Sequence, residues 1–222
     1  MLQTFRSSVN DVQDKITNIG NDLVRANELI VDAIIACDVE KFNDARGYIK
    51  NISSKTSDID NLIIKILALY TPEARDLRQV VAYFKITNEL ARACANTRSF
   101  IRGFTDICTD LEEQTINDYA IPMQNSTIRA IKIAVSMINC HDSDELRERY
   151  DEVLIEENKT DDLYSMIEKN LIQQADTKNG EFEKYHRMLR ALRKSEKIAG
   201  RAISMANLLL YANIGGELQA SN

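Results

Sequence analysis

Apolar residues recur along this chain in alternate steps of three and four, the spacing of one face of a helix. From Leu2 the steps fall on Phe5, Val9, Val12, Ile16, Ile19, Leu23, Ala26, Ile30, Ala33 and Cys37, which predicts one long first helix with coiled-coil-like packing. Gly20 lies off this seam and is expected to weaken the helix locally without ending it. Asp38, followed by Glu40 and Lys41, reads as the next N-cap. The stepping then runs through Phe42, Ala45, Ile49, Ile52, Thr56, Ile59, Ile63, Ile66 and Tyr70 as a second helix. Thr71 and Pro72 read as the N-cap and first residue of a third helix, with Glu73 and Asp76 near the positive end of its dipole. That helix carries Leu77, Val80, Phe84, Leu90, Cys94 and Ile101, and Gly103 is where it is expected to bend or end. Three antiparallel helices with short connections make one bundle unit.

Thr105 to Pro122 is less regular, and Pro122 is expected to open or kink a fourth helix through Ile128, Ile131, Val135 and Ile138. After a turn at His141-Asp142-Ser143-Asp144, a fifth helix runs through Leu146, Tyr150, Val153, Glu157, Thr160, Tyr164, Ile167 and Leu171. Asp176 to Gly180 reads as a turn, and a sixth helix follows through Phe182, Tyr185, Leu189, Leu192, Glu196, Ala199, Ile203, Ala206 and Leu210 until Gly215-Gly216. The halves look like one unit used twice. Ala33 to Asp38 compares with Ser136 to Asp142, Ile59 to Leu62 with Thr160 to Leu163, and Leu90 to Arg92 with Ser195 to Lys197. The offset stays at about one hundred residues, a long-period duplication. The expected fold is all-α, with six long helices in two tandem three-helix bundles, the first over residues 1–115 and the second over 116–222.

Composition narrows the function. Seven glycines and two prolines are too few to punctuate many strands and turns. A net charge of −6 argues against nucleic acid as the main partner, because binding a phosphate backbone needs a basic surface. No apolar run approaches membrane-spanning length and the start lacks a signal-peptide pattern, so a cytoplasmic location is expected. Cys37, Cys94, Cys108 and Cys140 form no C-x-x-C pair and fall within helical patterns, so they are expected to be buried free thiols. His141 and His186 are isolated and read as surface or turn residues. No nucleophile elbow, glycine-rich phosphate loop or acid/base constellation is present, which points away from an enzyme.

One stretch has a recognisable spelling. Pro72-Glu-Ala-Arg-Asp-Leu-Arg78, followed by Ala82-Tyr-Phe-Lys85, Leu90 and Arg92, resembles the first signature of the PhoU family of phosphate-signalling proteins. The resemblance implies two tandem three-helix bundles and a non-enzymatic adaptor that couples a phosphate transporter to a sensor histidine kinase and restrains the phosphate-starvation response. It also implies a protein that reaches the membrane only through partners, with a homodimer as a further expectation. The alternatives are an accessory protein of another phosphate or ion transporter, or a carboxylate-bundle metalloprotein.

The family's Glu/Asp-x-x-x-Asp spacing in each bundle is associated with bound iron or zinc. In this chain Ala91 and Ala95 stand where the first acidic pair is expected, and Thr56 is the neutral counterpart of Glu157. The second half keeps more acid: Glu157 and Asp161 one turn apart, and Glu196, with Gly200 in place of its aspartate. Glu157, Asp161 and Glu196 are therefore the candidate residual site for iron, zinc or manganese. The plain alternative is that Glu157 and Glu196 meet Lys197, Arg193 or Arg201, or reach solvent. Asp60, Asp76, Arg78 and Arg92 form a candidate partner-binding or structural network, against helix-end electrostatics and simple ion pairing, the reading preferred for Asp76. The Leu208 to Tyr211 run is the candidate exposed partner or dimer surface, unless it completes the bundle.

Overall fold

A computed structural model describes residues 2–177 and 182–215 of the chain. Eight α-helices with short 3-10 and π turns make up these residues, and no strand occurs among them. The helices are α1 (Leu2–Ala36), α2 (Val39–Tyr48), α3 (Ile52–Tyr70), α4 (Ala74–Thr105), the single turn α5 (Glu113–Thr115), α6 (Ile121–Ser136), α7 (Ser143–Thr177) and α8 (Phe182–Ile214). One three-helix bundle is built from α1, the broken rod α2–α3, and α4, and a second from α6, α7 and α8. In the middle, α1 and α4 pack against α6 and α8.

The duplicated caps are both present. Asp38 accepts hydrogen bonds from the backbone N–H of Glu40 at 2.8 Å and Lys41 at 3.4 Å, and Asp142 accepts from Asp144 at 3.0 Å and Glu145 at 2.9 Å. Each aspartate satisfies orphan donors at the start of its unit's second helix. The expected single helix from Asp38 to Tyr70 is broken at Ile49 to Asn51, where Asn51 takes the left-handed conformation with φ of 56°. Ile49 and Ile52 are both buried on either side of the break, so the apolar stepping continues across a bend that the sequence pattern alone hides.

The start of α4 also differs from expectation. Thr71 is not its N-cap but the left-handed end of α3, with φ of 43°, and Pro72 lies in the link before Glu73. Gly103 does not end α4, which continues to Thr105. Pro122 sits in the first turn of α6 as expected. Proline has no N–H to donate backwards, and just before it the backbone takes π register over Ile116–Ala120, with the Ile121 N–H reaching the Ile116 carbonyl. Gly215, with φ of 85°, ends α8 as expected, and its N–H meets the Tyr211 carbonyl at 2.9 Å. Of the turn expected over Asp176 to Gly180, Asp176 and Thr177 still belong to α7; the rest, like Gly216, lies outside the described residues.

Two apolar clusters form the core, and each draws side chains from both halves of the chain. One joins residues such as Ile16, Ile63 and Leu90 to Ile131, Val153 and Met205; the other joins Phe42, Phe100 and Phe104 to Met123, Ile167 and Leu192. Leu208 and Leu209 are buried in the first cluster, so of the two readings of this run it is completion of the bundle that holds. Gly20 is buried at the contact of α1 with α6: a Cβ there would stand 2.7 Å from a Val135 methyl. Its role is close helix approach rather than a weak point.

The four cysteines divide into two kinds. Cys94 and Cys140 are buried free thiols, as expected, and burial pushes the Cys94 thiol up to about 12. Cys37 and Cys108 are instead paired in a disulfide, with their Cα atoms 5.7 Å apart. Seventy-one positions separate them in sequence, and only the packing of the α1 end beside the turn after α4 brings them together.

Candidate functional site

The helices α4 and α8 lie antiparallel, as Arg201 beside Glu89 and Arg187 beside Asp106 demonstrate. A groove of about 690 Å³ opens where α7 meets this seam. Glu89 and Arg92 come from α4, Glu157 and Asp161 from α7, and Glu196, Lys197, Gly200 and Arg201 from α8. The three candidate acids are thus brought to one place by two helices of the second bundle.

Their electrostatics follow from that crowding. Glu157 is half-buried, and its carboxyl is pushed above the ordinary carboxylate range by burial first and then by the charges of Asp161 and Glu196. Glu196 is raised by burial too, against the opposing charge of Arg193. The Arg193 Nε stands 3.1 Å from Glu196 Oε2, although that oxygen lacks a well-aligned hydrogen bond. The contact is better described as a charge pair than a directed bond. Across the groove, the Arg201 guanidinium donates to Glu89 at 3.0 Å.

Among the described residues, no three His, Cys, Asp or Glu side chains converge closely enough to hold a metal ion. With Arg193 on Glu196 and Asp161 exposed, the three acids line the groove without forming a coordination sphere, and the arrangement as it stands does not fit a metal cluster. On the first-bundle side the neutral Ala91, Ala95 and Thr56 hold no charge at the related positions; the Thr56 hydroxyl simply donates to the Ile52 carbonyl at 3.0 Å.

The second candidate set is dispersed. Asp60 on α3 has one carboxylate oxygen buried without a partner, and burial raises its carboxyl. Asp76 is exposed in the first turn of α4, where its charge complements the helix dipole. The Arg78 guanidinium lies against Gly215 at the end of α8, with 3.6 Å from its central carbon to the position of a Cβ there. That end is where a cation is favoured by the α8 dipole. Arg92 lines the acidic groove. No hydrogen bond or ion pair joins any two of these four among the described residues.

Sequence reasoning missed a fully buried polar chain across the central four helices. The Gln124 amide of α6 donates to the Asn27 side-chain oxygen of α1 at 2.8 Å, and the Ser195 hydroxyl of α8 donates to Gln124 Oε1 at 2.9 Å. The Asn27 amide in turn donates to the Leu23 carbonyl at 2.8 Å and to the Thr97 hydroxyl of α4 at 3.3 Å. All four side chains are 0% exposed, and each polar residue looks like a surface position until the partner helix is in place.

Antiparallel helical units used in tandem, with a charged groove at their seam and no catalytic constellation among the described residues, define an all-α repeat-bundle protein. Residues 16–101 match the model of the PhoU domain. The whole fold is similar to the crystal structure of PhoU from Pseudomonas aeruginosa, with a TM-score of 0.84 and 20% identity over 96% of this chain and 100% of that one. It is also similar to the phosphate transport system regulatory protein PhoU from Streptococcus pneumoniae, at a TM-score of 0.79 and 16% identity over 97% and 99%. A PhoU-like protein from Shewanella oneidensis matches at 0.64 and 16% identity over 89% and 94%. None of the curated proteins compared with the sequence matches it.

Proposed function

We propose that this protein is a regulator of phosphate transport and phosphate-starvation signalling, working as a non-enzymatic adaptor between a phosphate transporter component and a sensor histidine kinase. The observation that carries the reading is the match of residues 16–101 to the PhoU domain model, together with a likeness of fold that extends over almost the whole chain. The lack of any helix long and apolar enough to cross a membrane among the described residues agrees with a cytoplasmic protein recruited to the membrane by partners. A homodimer is part of the proposal. The other reading in the same class is an accessory role for a different phosphate or ion transporter.

Deleting the gene and following a phosphate-starvation reporter in phosphate-replete cells tests the proposal. Output is expected to rise in the deletion strain and to return when the gene is restored. Unchanged output would remove the signalling role. Capture of a transporter component on the immobilised protein, with the reporter unmoved, would instead support the accessory reading.

A further inference from the structure

Further along the α4/α8 seam from the carboxylates lies a groove of the opposite charge. Arg102 and Gly103 come from the last turn of α4, Asp106 from its C-cap, and Arg187, Arg190, Ala191 and Lys194 from α8. Both sets follow the spacing of one helical face. A Cβ on Gly103 would stand 3.5 Å from the Ala191 Cβ, so two small residues let the helices approach and leave a floor without bulk. The long cationic side chains stand around it. The space is about 360 Å³, within the usual range of small-ligand sites of roughly 300–1,000 Å³.

The charge of this groove is unbalanced. Four cations and one carboxylate leave a formal +3, in a chain whose net charge is −6. Asp106 engages Arg187, whose Nη2 is 3.8 Å from the carboxylate and donates to the Asp106 main-chain oxygen at 3.3 Å. Arg102, Arg190 and Lys194 have no carboxylate within ion-pair distance among the described residues. Like charges gathered in one concavity repel one another, and a bound anion relieves that repulsion. Guanidinium forks match phosphate oxygens in pairs, and three arginines offer more such donors than a single phosphate can use.

We propose that this groove binds a small ligand through a run of two or more linked phosphate groups, the chemistry shared by inorganic polyphosphates and the phosphate chain of a nucleotide. The inference rests on the geometry of α4 and α8 and does not depend on the signalling role.

Isothermal titration of the full chain with inorganic tripolyphosphate at low ionic strength is the test. One equivalent is expected to bind, at least tenfold tighter than orthophosphate, with an affinity that falls as salt is added. Arg102→Gln with Arg190→Gln is expected to weaken binding at least tenfold. Both residues are exposed, so the helical circular dichroism should be retained, and Lys194→Gln alone provides a second, milder reading. Arg46→Gln with Lys50→Gln, at the separate groove beside the α2–α3 break, should leave binding unchanged. ATP binding more tightly than tripolyphosphate supports a nucleotide as the source; the reverse supports an inorganic chain. Absence of tripolyphosphate binding, undiminished affinity in the Arg102/Arg190 variant, or loss in the Arg46/Lys50 variant instead would overturn the proposal. Tight binding of an acidic peptide that tripolyphosphate cannot displace would overturn it as well.

Discussion

Gly20 and Gly47 are both helical glycines, yet alanine should act on them in opposite directions. At Gly47 a Cβ meets nothing within 4 Å, so Gly47→Ala should stabilise the protein by about 0.5–1 kcal/mol through helix propensity. At Gly20 the same Cβ runs into Val135, whose β-branched side chain has little rotamer freedom to withdraw. Overpacking costs about 1–3 kcal/mol, set against about 1 kcal/mol of propensity gain, so Gly20→Ala should be destabilising on balance. Chemical denaturation of the two single variants checks this, and Val135→Ala should relieve the clash in the Gly20→Ala background. Also at this scale, Gln124→Leu strands both the Asn27 oxygen and the Ser195 hydroxyl in a dry core. Each unsatisfied group costs about 1–3 kcal/mol, so a loss of about 3 kcal/mol is expected in the same assay. Thiol counting offers a further check. The unfolded, unreduced chain should expose two reactive thiols, Cys94 and Cys140, and reduction should double that number by releasing Cys37 and Cys108.

Among the helices, the acidic groove sets the behaviour of α7 and α8. Glu157 and Glu196 hold their protons more strongly in the folded chain than in the unfolded one. The folded state therefore binds more protons just above the ordinary carboxylate range, and stability falls as pH rises through that window. Glu157→Gln should flatten this dependence and raise stability on its alkaline side, as thermal melts across the window would reveal. The same groove contains Gly200, where a Cβ meets nothing within 4 Å. Gly200→Asp adds a fifth carboxylate to a space already lined by Glu89, Glu157, Asp161 and Glu196. Elemental analysis of purified protein is expected to find little iron, zinc or manganese in the parent and more in this variant. Stoichiometric metal in the parent, lost in Glu157→Ala and Glu196→Ala, would instead show that the three acids rearrange to bind it.

For the molecule as a whole, the two apolar clusters and the Asn27 to Ser195 chain each cross between the halves. Cutting near residue 115 would uncover apolar faces of α1 and α4 that α6 and α8 now cover. Far-UV and near-UV signals are accordingly expected to report one coincident unfolding transition for the full chain, and a fragment of residues 1–115 should lose cooperative unfolding. Two well-separated transitions would show that the sequence duplication marks two independently stable units.

Much of this was legible in the chain itself. Helix identity, the cap at Asp38, the turn at Asp142 and the acid-bearing positions on α7 and α8 all depend on local periodicity and short-range hydrogen bonding. These act within a few residues, and so they can be read from a string. The break at Asn51 was hidden because the apolar stepping stays in phase across it, and the start of α4 was misplaced because Thr71-Pro72 spells a helix start where the backbone instead ends α3 in the left-handed conformation. What only the tertiary structure decided is which helix faces which. That choice made Gly20 a contact point and buried Leu208. It also joined Cys37 to Cys108, closed Gln124 between Asn27 and Ser195, and gathered Arg102 with Arg187, Arg190 and Lys194. Each depends on residues far apart in sequence, whose meeting is fixed by packing two bundles face to face.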